Sequence, residues 1–314
     1  MIPMIMKKRG VCRCLFLFLL IMPCLLSGCG KKEAENDVPP AIDTPGPLVP
    51  TYPGEKTIGN ELLTLDISNT AQGYMVAISS DDEKKKCLQI YSETGVIYKY
   101  FIDPGEIAVI PFTDGSSEYM VVCYQQVQGD QYATIFGEKI TVDLESIFYP
   151  FLYPNQYVNF SPDTEACRLA QSLLDDESTD LDALDAIYEY VINNIVYDEE
   201  KAQTVESVYL PNIDETLRTG LGICLDYAAL MTAMLRARHI PCRLVTGYAG
   251  TIRHAWIDVY IQSRGWVEQA VSFDGETWNR MDPTFASAAL GGNDEDFIHS
   301  YISDSNNYCM QYAH

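Results

Sequence analysis

Cys224, His254 and Asp282 are the residues whose types and order could do covalent chemistry. Cys224 stands in Gly220-Leu-Gly-Ile-Cys224-Leu-Asp-Tyr-Ala-Ala-Leu230, His254 in Arg-His-Ala-Trp and Asp282 in Met-Asp-Pro-Thr. A thiol attacks a carbonyl as thiolate, and an ordinary cysteine, with a pKa near ~8.5, is mostly protonated at neutral pH. A helix N-terminus and a neighbouring imidazolium both favour the thiolate. His254 would then be the base and Asp282 the acid that holds its tautomer and orientation. The Cys224 amide is the expected oxyanion donor, with Asn194 or Tyr197 as side-chain candidates. Asp226 complicates this picture: a carboxylate two residues from the thiol opposes its ionisation unless it sits over the helix end, where acids are favoured. Taken singly, each residue has an ordinary structural explanation, in packing, a satisfied strand histidine or an Asp-Pro turn. The order of the three is what points to chemistry.

Several elements must position these groups. Cys224 opens a helical pattern whose Tyr227, Leu230, Met231, Met234 and Leu235 share a face, and Pro241 ends it. Two strands follow, over residues 243–248 and 253–262. In the second, Ala255, Ile257, Val259 and Ile261 alternate with His254, Trp256, Asp258 and Tyr260, so His254 lies off the apolar face. Residues 266–273 are expected to continue the sheet, and 275–282 to lead to a turn at Pro283. Upstream, Ser161 before Pro162 and Asp163 reads as one helix N-cap. Thr179 or Asp180 starts a stronger helix, with Leu181, Leu184, Ile187, Tyr188, Val191, Ile192 and Ile195 at core spacing. Residues 198–211 read as loop, and 294–302 as a short helix.

With 314 residues, 47% of them hydrophobic and 21% charged, the chain can bury a sizeable core in two domains. Residues 1–28 read as a secretion signal: Lys7, Lys8, Arg9 and Arg13, an apolar run from Leu15 to Leu26 broken by Pro23 and Cys24, then small residues. That run falls short of the ~20 apolar residues needed to span a bilayer. Leu26-Ser27-Gly28-Cys29 resembles the lipobox of bacterial lipoproteins, which implies cleavage before Cys29 and a diacylglycerol on its thiol. The expected location is the extracytoplasmic face of a bacterial membrane, with the membrane as partner through the lipid. Losing the four basic residues of the leader takes the net charge from −23 to −27, which argues against nucleic acid as a partner.

Residues 29–55 are a Pro-rich linker, read as an extended spacer. Residues 56–148 show short alternating segments separated by turn signals and are expected to form an all-β sandwich. Its Asp81-Asp-Glu-Lys-Lys-Lys86 run reads as a solvated loop. Residues 149–314 form the second, α+β domain. Of ten Cys, six remain beyond Cys29. With Cys224 free the other five cannot all pair, so disulfides are not the framework. Cys87 and Cys123 could pair, although small buried thiols are the plainer reading. No cofactor and no metal is expected: there is no third glycine of a dinucleotide fingerprint, no Walker loop, no Gly-x-Ser-x-Gly and no His-Glu-x-x-His.

The run GLGICLDYAALMTAMLRARHIPCRLVTGYAG, then HAWIDVYI, then WNRMDPTF resembles the transglutaminase-like superfamily of papain-fold thiol enzymes over about residues 150–290. The resemblance implies a papain-like core with Cys224 as nucleophile, His254 as base and Asp282 as orienting acid, and Arg243, Tyr248 and Trp256 as architectural neighbours. It departs from the pattern in a longer segment between His254 and Asp282, with tryptophans at both 266 and 278. It implies acyl transfer at an amide through a Cys224 thioester, with peptide or protein substrates, cell-wall peptides among them. Hydrolysis, as by a peptidase or amidase, is favoured. Two alternatives stand beside it: an amine-accepting protein crosslinker, and a catalytically silent domain used as a surface binding module.

Overall fold

Alternation at period two builds the first layer. The computed structural model describes residues 38–174, 178–206, 208–267, 271–273, 278–280, 284 and 307–314. The leader with Cys29, Asp282 and the expected helix at 294–302 lie outside the described residues. Eight strands come first: β1 (Thr57–Gly59), β2 (Leu63–Asp66), β3 (Tyr74–Ser79), β4 (Lys86–Tyr91), β5 (Ile97–Ile102), β6 (Ile107–Pro111), β7 (Ser117–Gln128) and β8 (Gln131–Val142). They make two antiparallel sheets, ordered β1-β2-β3-β6 and β5-β4-β7-β8. Leu63, Leu65, Met75 and Ala77 from the first meet Leu88, Ile90, Tyr100 and Val121 from the second in one core. This is a sandwich, with side chains of alternate positions filling the space between the sheets.

Strand β3 is buried on both faces, with Tyr74 and Val76 under Tyr153 and Leu48. Two details differ from the sequence reading. Lys86 is fully buried rather than solvated: its ammonium donates to Asp82 at 2.5 Å and to the Lys84 carbonyl at 2.8 Å. The Pro-rich stretch is not a free spacer throughout, because the Thr51 amide donates to Tyr74 Oη at 2.9 Å and the Gly54 amide to Asp66 at 2.6 Å. Cys87 lies opposite Tyr124 and Cys123 opposite Leu88, so successive positions of the pleat send the two thiols to opposite faces. Both are free and buried.

The second layer is helical. It comprises α1 (Glu165–Ser172), α2 (Asp180–Asn194), β9 (Val196–Tyr197), α3 (Glu199–Thr204), α4 (Ile213–Thr219), β10 (Leu221–Gly222) and α5 (Cys224–Ala237). Ser161 closes a turn with Thr164 instead of capping α1. The cap comes from elsewhere in the chain, since the amides of Glu165 and Ala166 donate to the carboxylate of Asp214 on α4. An N-terminus needs acceptors, and tertiary packing supplied them three residues later than the local signal. Thr179 caps α2 as read, in a capping box with Asp182. The stretch read as loop contains α3, capped by Asp198, and Asn212 caps α4.

A third layer follows: β11 (Cys242–Ala249), β12 (Ile252–Ile261), β13 (Gly265–Val267), the pair β14 (Val271–Phe273) and β15 (Trp278–Arg280), and β16 (Tyr308–Ala313). The sheet order is β13-β12-β11-β16, while among the described residues β14 and β15 pair only with each other. The sheet therefore does not continue to 273, and its second edge is the C-terminal strand. Helix α5 is buried along its length, with Ala255, Ile257 and Val259 of β12 in its core. It ends in a Schellman motif, with the Ile240 amide on the Leu235 carbonyl and the His239 amide on Arg236. His239 takes the left-handed position usual for glycine, at φ 60°.

Arg236 is fully buried. Its Nε and Nη2 donate to the Cys242 carbonyl at 3.0 and 2.8 Å, Nη1 to Tyr153 at 2.6 Å and Nη2 to His314 at 2.7 Å. Burial lowers its pKa to about 10. Replacing Arg236 by Met removes four hydrogen bonds to three buried backbone oxygens, and we expect a loss of ~3 kcal/mol or more in urea unfolding. His314 is buried against Tyr157, ring centroids 4.0 Å apart. Burial, then the Arg236 charge, holds its pKa down at about 3 from 6.5. Below pH 6.5 the unfolded chain takes up a proton that the folded one refuses, so this contribution is complete above about pH 6.5 and lost as pH falls toward 3. His314→Phe is expected to flatten the dependence of the unfolding midpoint on pH across that window.

Candidate active site

Cys224 is the first residue of α5, half-buried, and the turn before it is built residue by residue. Gly220 ends α4 in the left-handed region at φ 66°. Leu221 and Gly222 then run parallel to Val196 and Tyr197, with the Val196 amide on the Gly220 carbonyl and the Asp198 amide on Gly222. Gly222 has no room for a side chain, because a Cβ there would stand 2.8 Å from Cβ of Asp226. Ile223 is the N-cap residue and carries no side-chain acceptor, so Asp226 provides the cap from within the helix: its Oδ2 accepts the Ile223 amide at 2.9 Å.

The Asp226 carboxylate is fully buried and triply held. Besides Ile223, Lys201 Nζ donates to Oδ2 at 2.7 Å and Tyr209 Oη to Oδ1 at 2.6 Å. The Lys201 ammonium also lies over the Tyr209 ring, 4.6 Å from its centroid. Burial, the largest single influence, pulls the Lys201 pKa down, but the hydrogen bonds and charges of Asp226 and Tyr209 together outweigh it and the net shift is upward. Burial, then the Asp226 bond, raises Tyr209. Asp226 therefore sits over the helix end, the arrangement in which its charge is compensated. Lys201 and Tyr209 escaped the sequence reading because their stretch looked like loop. The Asp-Glu-Glu-Lys run at 198–201, a cap followed by acids, was the available signal.

His254 lies in β12 opposite Gly247, 9% exposed. The ring is flanked by Trp256 and Tyr308, each 6.4 Å away between centroids. Gly247 makes this possible, since a Cβ there would meet the Trp256 indole at 2.9 Å and the Cys309 carbonyl. The alternation places His254 with Trp256, while Ala255 and Ile257 pack toward α5. Cys224 and His254 share no direct hydrogen bond among the described contacts. Asp282 lies outside the described residues. Of the side-chain oxyanion candidates, Asn194 donates to the Tyr190 carbonyl of its own helix at 2.7 Å, and Tyr197 packs against the α5 core.

The neighbours implied by the resemblance have clear structural work. The Arg243 guanidinium stacks 3.6 Å from the centroid of Trp266 and 4.7 Å from that of Phe151, which fastens the outer face of the sheet to the 149–151 turn. Trp256 fills the space over Gly247. Among the described residues, no group of three His, Cys, Asp or Glu side chains gathers as a metal site.

Helix α5 offers its first-turn amides at Cys224. Those of Asp226 and Tyr227 return to the Ile223 carbonyl, at 2.9 and 3.1 Å. The two ahead of them, on Cys224 and Leu225, are the donors that a helix end leaves for an incoming oxygen. Gly222→Ala is expected to push Asp226 out of its cap, lowering stability by ~1–3 kcal/mol and slowing alkylation of Cys224. Thermal unfolding and mass spectrometry of the labelled peptide read the two effects.

Residues 168–283 match the family model described as Transglutaminase-like superfamily. The mouse kyphoscoliosis peptidase is 28% identical over 146 residues, covering 43% of this chain and 20% of that protein. The uncharacterized protein YebA of Bacillus subtilis is 28% identical over 118 residues, 32% of this chain and 16% of that protein. The chain thus spans about a fifth of the length of these curated relatives. Among solved structures, a candidate cysteine protease of Cytophaga hutchinsonii aligns at 15% identity and a TM-score of 0.37, over 77% of this chain and 79% of that one. Red sea bream transglutaminase aligns at 13% identity and a TM-score of 0.29, over 73% and 53%. At such scores the structural likenesses carry no argument, and the likeness to the superfamily rests on residues 168–283.

Proposed function

We propose, from a transglutaminase-like core whose cysteine opens the buried helix α5, that the protein is a thiol enzyme acting on amide bonds of peptides or proteins. The observation that carries this reading is the placement of Cys224 at the first position of α5, with the free ends of its backbone dipoles beside the sulfur. The thiolate attacks the amide carbonyl carbon, and the oxyanion is held by the Cys224 and Leu225 amides. Collapse of the tetrahedral adduct breaks the C–N bond, and the amine leaves with a proton from His254. Water, deprotonated by His254, then attacks the thioester and returns the thiol, leaving a carboxylic acid. The family resemblance gives Asp282 the part of the acid that orients His254. Hydrolysis is preferred to amine transfer for a protein read as tethered by Cys29 outside a bacterial membrane, with cell-wall peptides among its substrates.

Two measurements test this. Iodoacetamide labelling of Cys224 across pH should depend on His254, with slower labelling at neutral pH in His254→Ala. An ordinary profile, identical in both proteins, overturns the enzyme reading and supports a silent binding domain. A glutamine-containing peptide incubated with and without a primary amine distinguishes the acceptors: a mass gain of the acid alone supports hydrolysis, and incorporation of the amine supports crosslinking.

A further inference from the structure

We infer that Lys201 and Tyr209 are positioning residues for the nucleophile, a clasp contributed by the 198–211 connection that turns the Asp226 carboxylate from an opponent of the Cys224 thiolate into its cap. The inference rests on the proposed thiol chemistry for its meaning, but its geometry stands apart from it.

Asp226 lies two residues beyond Cys224, on the first turn of the same helix, and no water reaches it. A bare carboxylate there would set a negative charge in the first turn of the helix that Cys224 opens, in a medium of low dielectric, where it acts strongly. Three donors remove that effect: the Ile223 amide, the Lys201 ammonium and the Tyr209 hydroxyl. In the Lys201–Asp226 pair the acid is fully buried. A surface pair on a mobile lysine would do little, but this lysine is only 29% exposed and stacks on Tyr209.

The clasp is also wired to the backbone in front of the nucleophile. The Asp198 amide donates to the Gly222 carbonyl, and Asp198 Oδ1 accepts the Lys201 amide at 2.8 Å. Lys201 then reaches Asp226, and Asp226 accepts the Ile223 amide. The circuit closes around Gly222, Ile223 and Cys224, so a movement of α3 is passed to the turn that aims the thiol. Nothing in the reaction requires Lys201 to touch substrate, and its role is exerted through Asp226.

The experiment uses the full chain and reads the rate of iodoacetamide alkylation at Cys224 by mass spectrometry, beside thermal unfolding of each variant. Lys201→Met is expected to slow alkylation about tenfold, because it leaves the buried Asp226 charge uncompensated. Lys201→Arg should restore it, because the charge and its hydrogen bonds return. Lys201→Met with Asp226→Asn should also recover most of the rate, because no uncompensated charge is left. Tyr209→Phe, a milder change should Lys201→Met fold poorly, should slow alkylation about threefold, as loss of one of three donors would. Rates within twofold of wild type in both Lys201→Met and Tyr209→Phe overturn the inference. So does a Lys201→Met defect that neither the arginine nor the Asp226→Asn change relieves. Since the readout needs no substrate, a protein that cleaves nothing can still show the clasp. A His254→Ala variant with unaltered alkylation would sink the enzyme reading while leaving the clasp standing.

Discussion

Arg236 places a full positive charge where no water reaches, and the surrounding chain is arranged to satisfy it. Removing a guanidinium from water costs several kcal/mol unless its donors are met. Here the acceptors are backbone oxygens of Tyr153, Cys242 and His314, and no Asp or Glu side chain among the described residues pairs with it. Each oxygen belongs to a different segment: the connection leaving the sandwich, the start of β11 and the end of β16. One side chain of α5 thus gathers three layers of the fold.

The other end of α5 is held by the opposite charge. Asp226, equally buried, accepts from Ile223, Lys201 and Tyr209 and fixes the turn that presents Cys224. The helix is consequently pinned by an arginine in its last turn and an aspartate in its first, each sign placed where the backbone dipole favours it. Between them the helix is apolar and buried on every side. That combination explains why a reactive group can stand at its N-terminus: the scaffold under the sulfur has little freedom to move.

The C-terminal strand joins these parts. It completes the sheet beside β11, and Tyr308 packs on Trp256, 5.3 Å between centroids, next to His254. Four residues on, Tyr312 reaches the sandwich core, 5.6 Å from Tyr98. The face of the sheet that carries His254 is therefore shaped by residues far away in sequence. The other half of that face is closed by Trp266, Arg243 and Phe151.

Periodicity and local chemistry alone determined most strands of the sandwich, though not β1 and β5, and likewise helix α2 with its Thr179 cap, the start of α5 at Cys224 and its end before Pro241. These depend on neighbours within a few residues. The face of β12 was legible for the same reason, since a strand alternates whatever surrounds it. Tertiary structure decided what depends on distant partners. Helix α1 begins where Asp214 supplies acceptors and not at the locally attractive Ser161. Residues 198–211 look like loop until α3 docks and Lys201 finds Asp226. The C-terminal residues carry no pattern of their own and become a strand because β11 offers an unpaired edge. The question the sequence left open, whether Asp226 opposes the thiol or caps its helix, was settled by Lys201 and Tyr209, because the effect of a charge depends on what stands beside it in space.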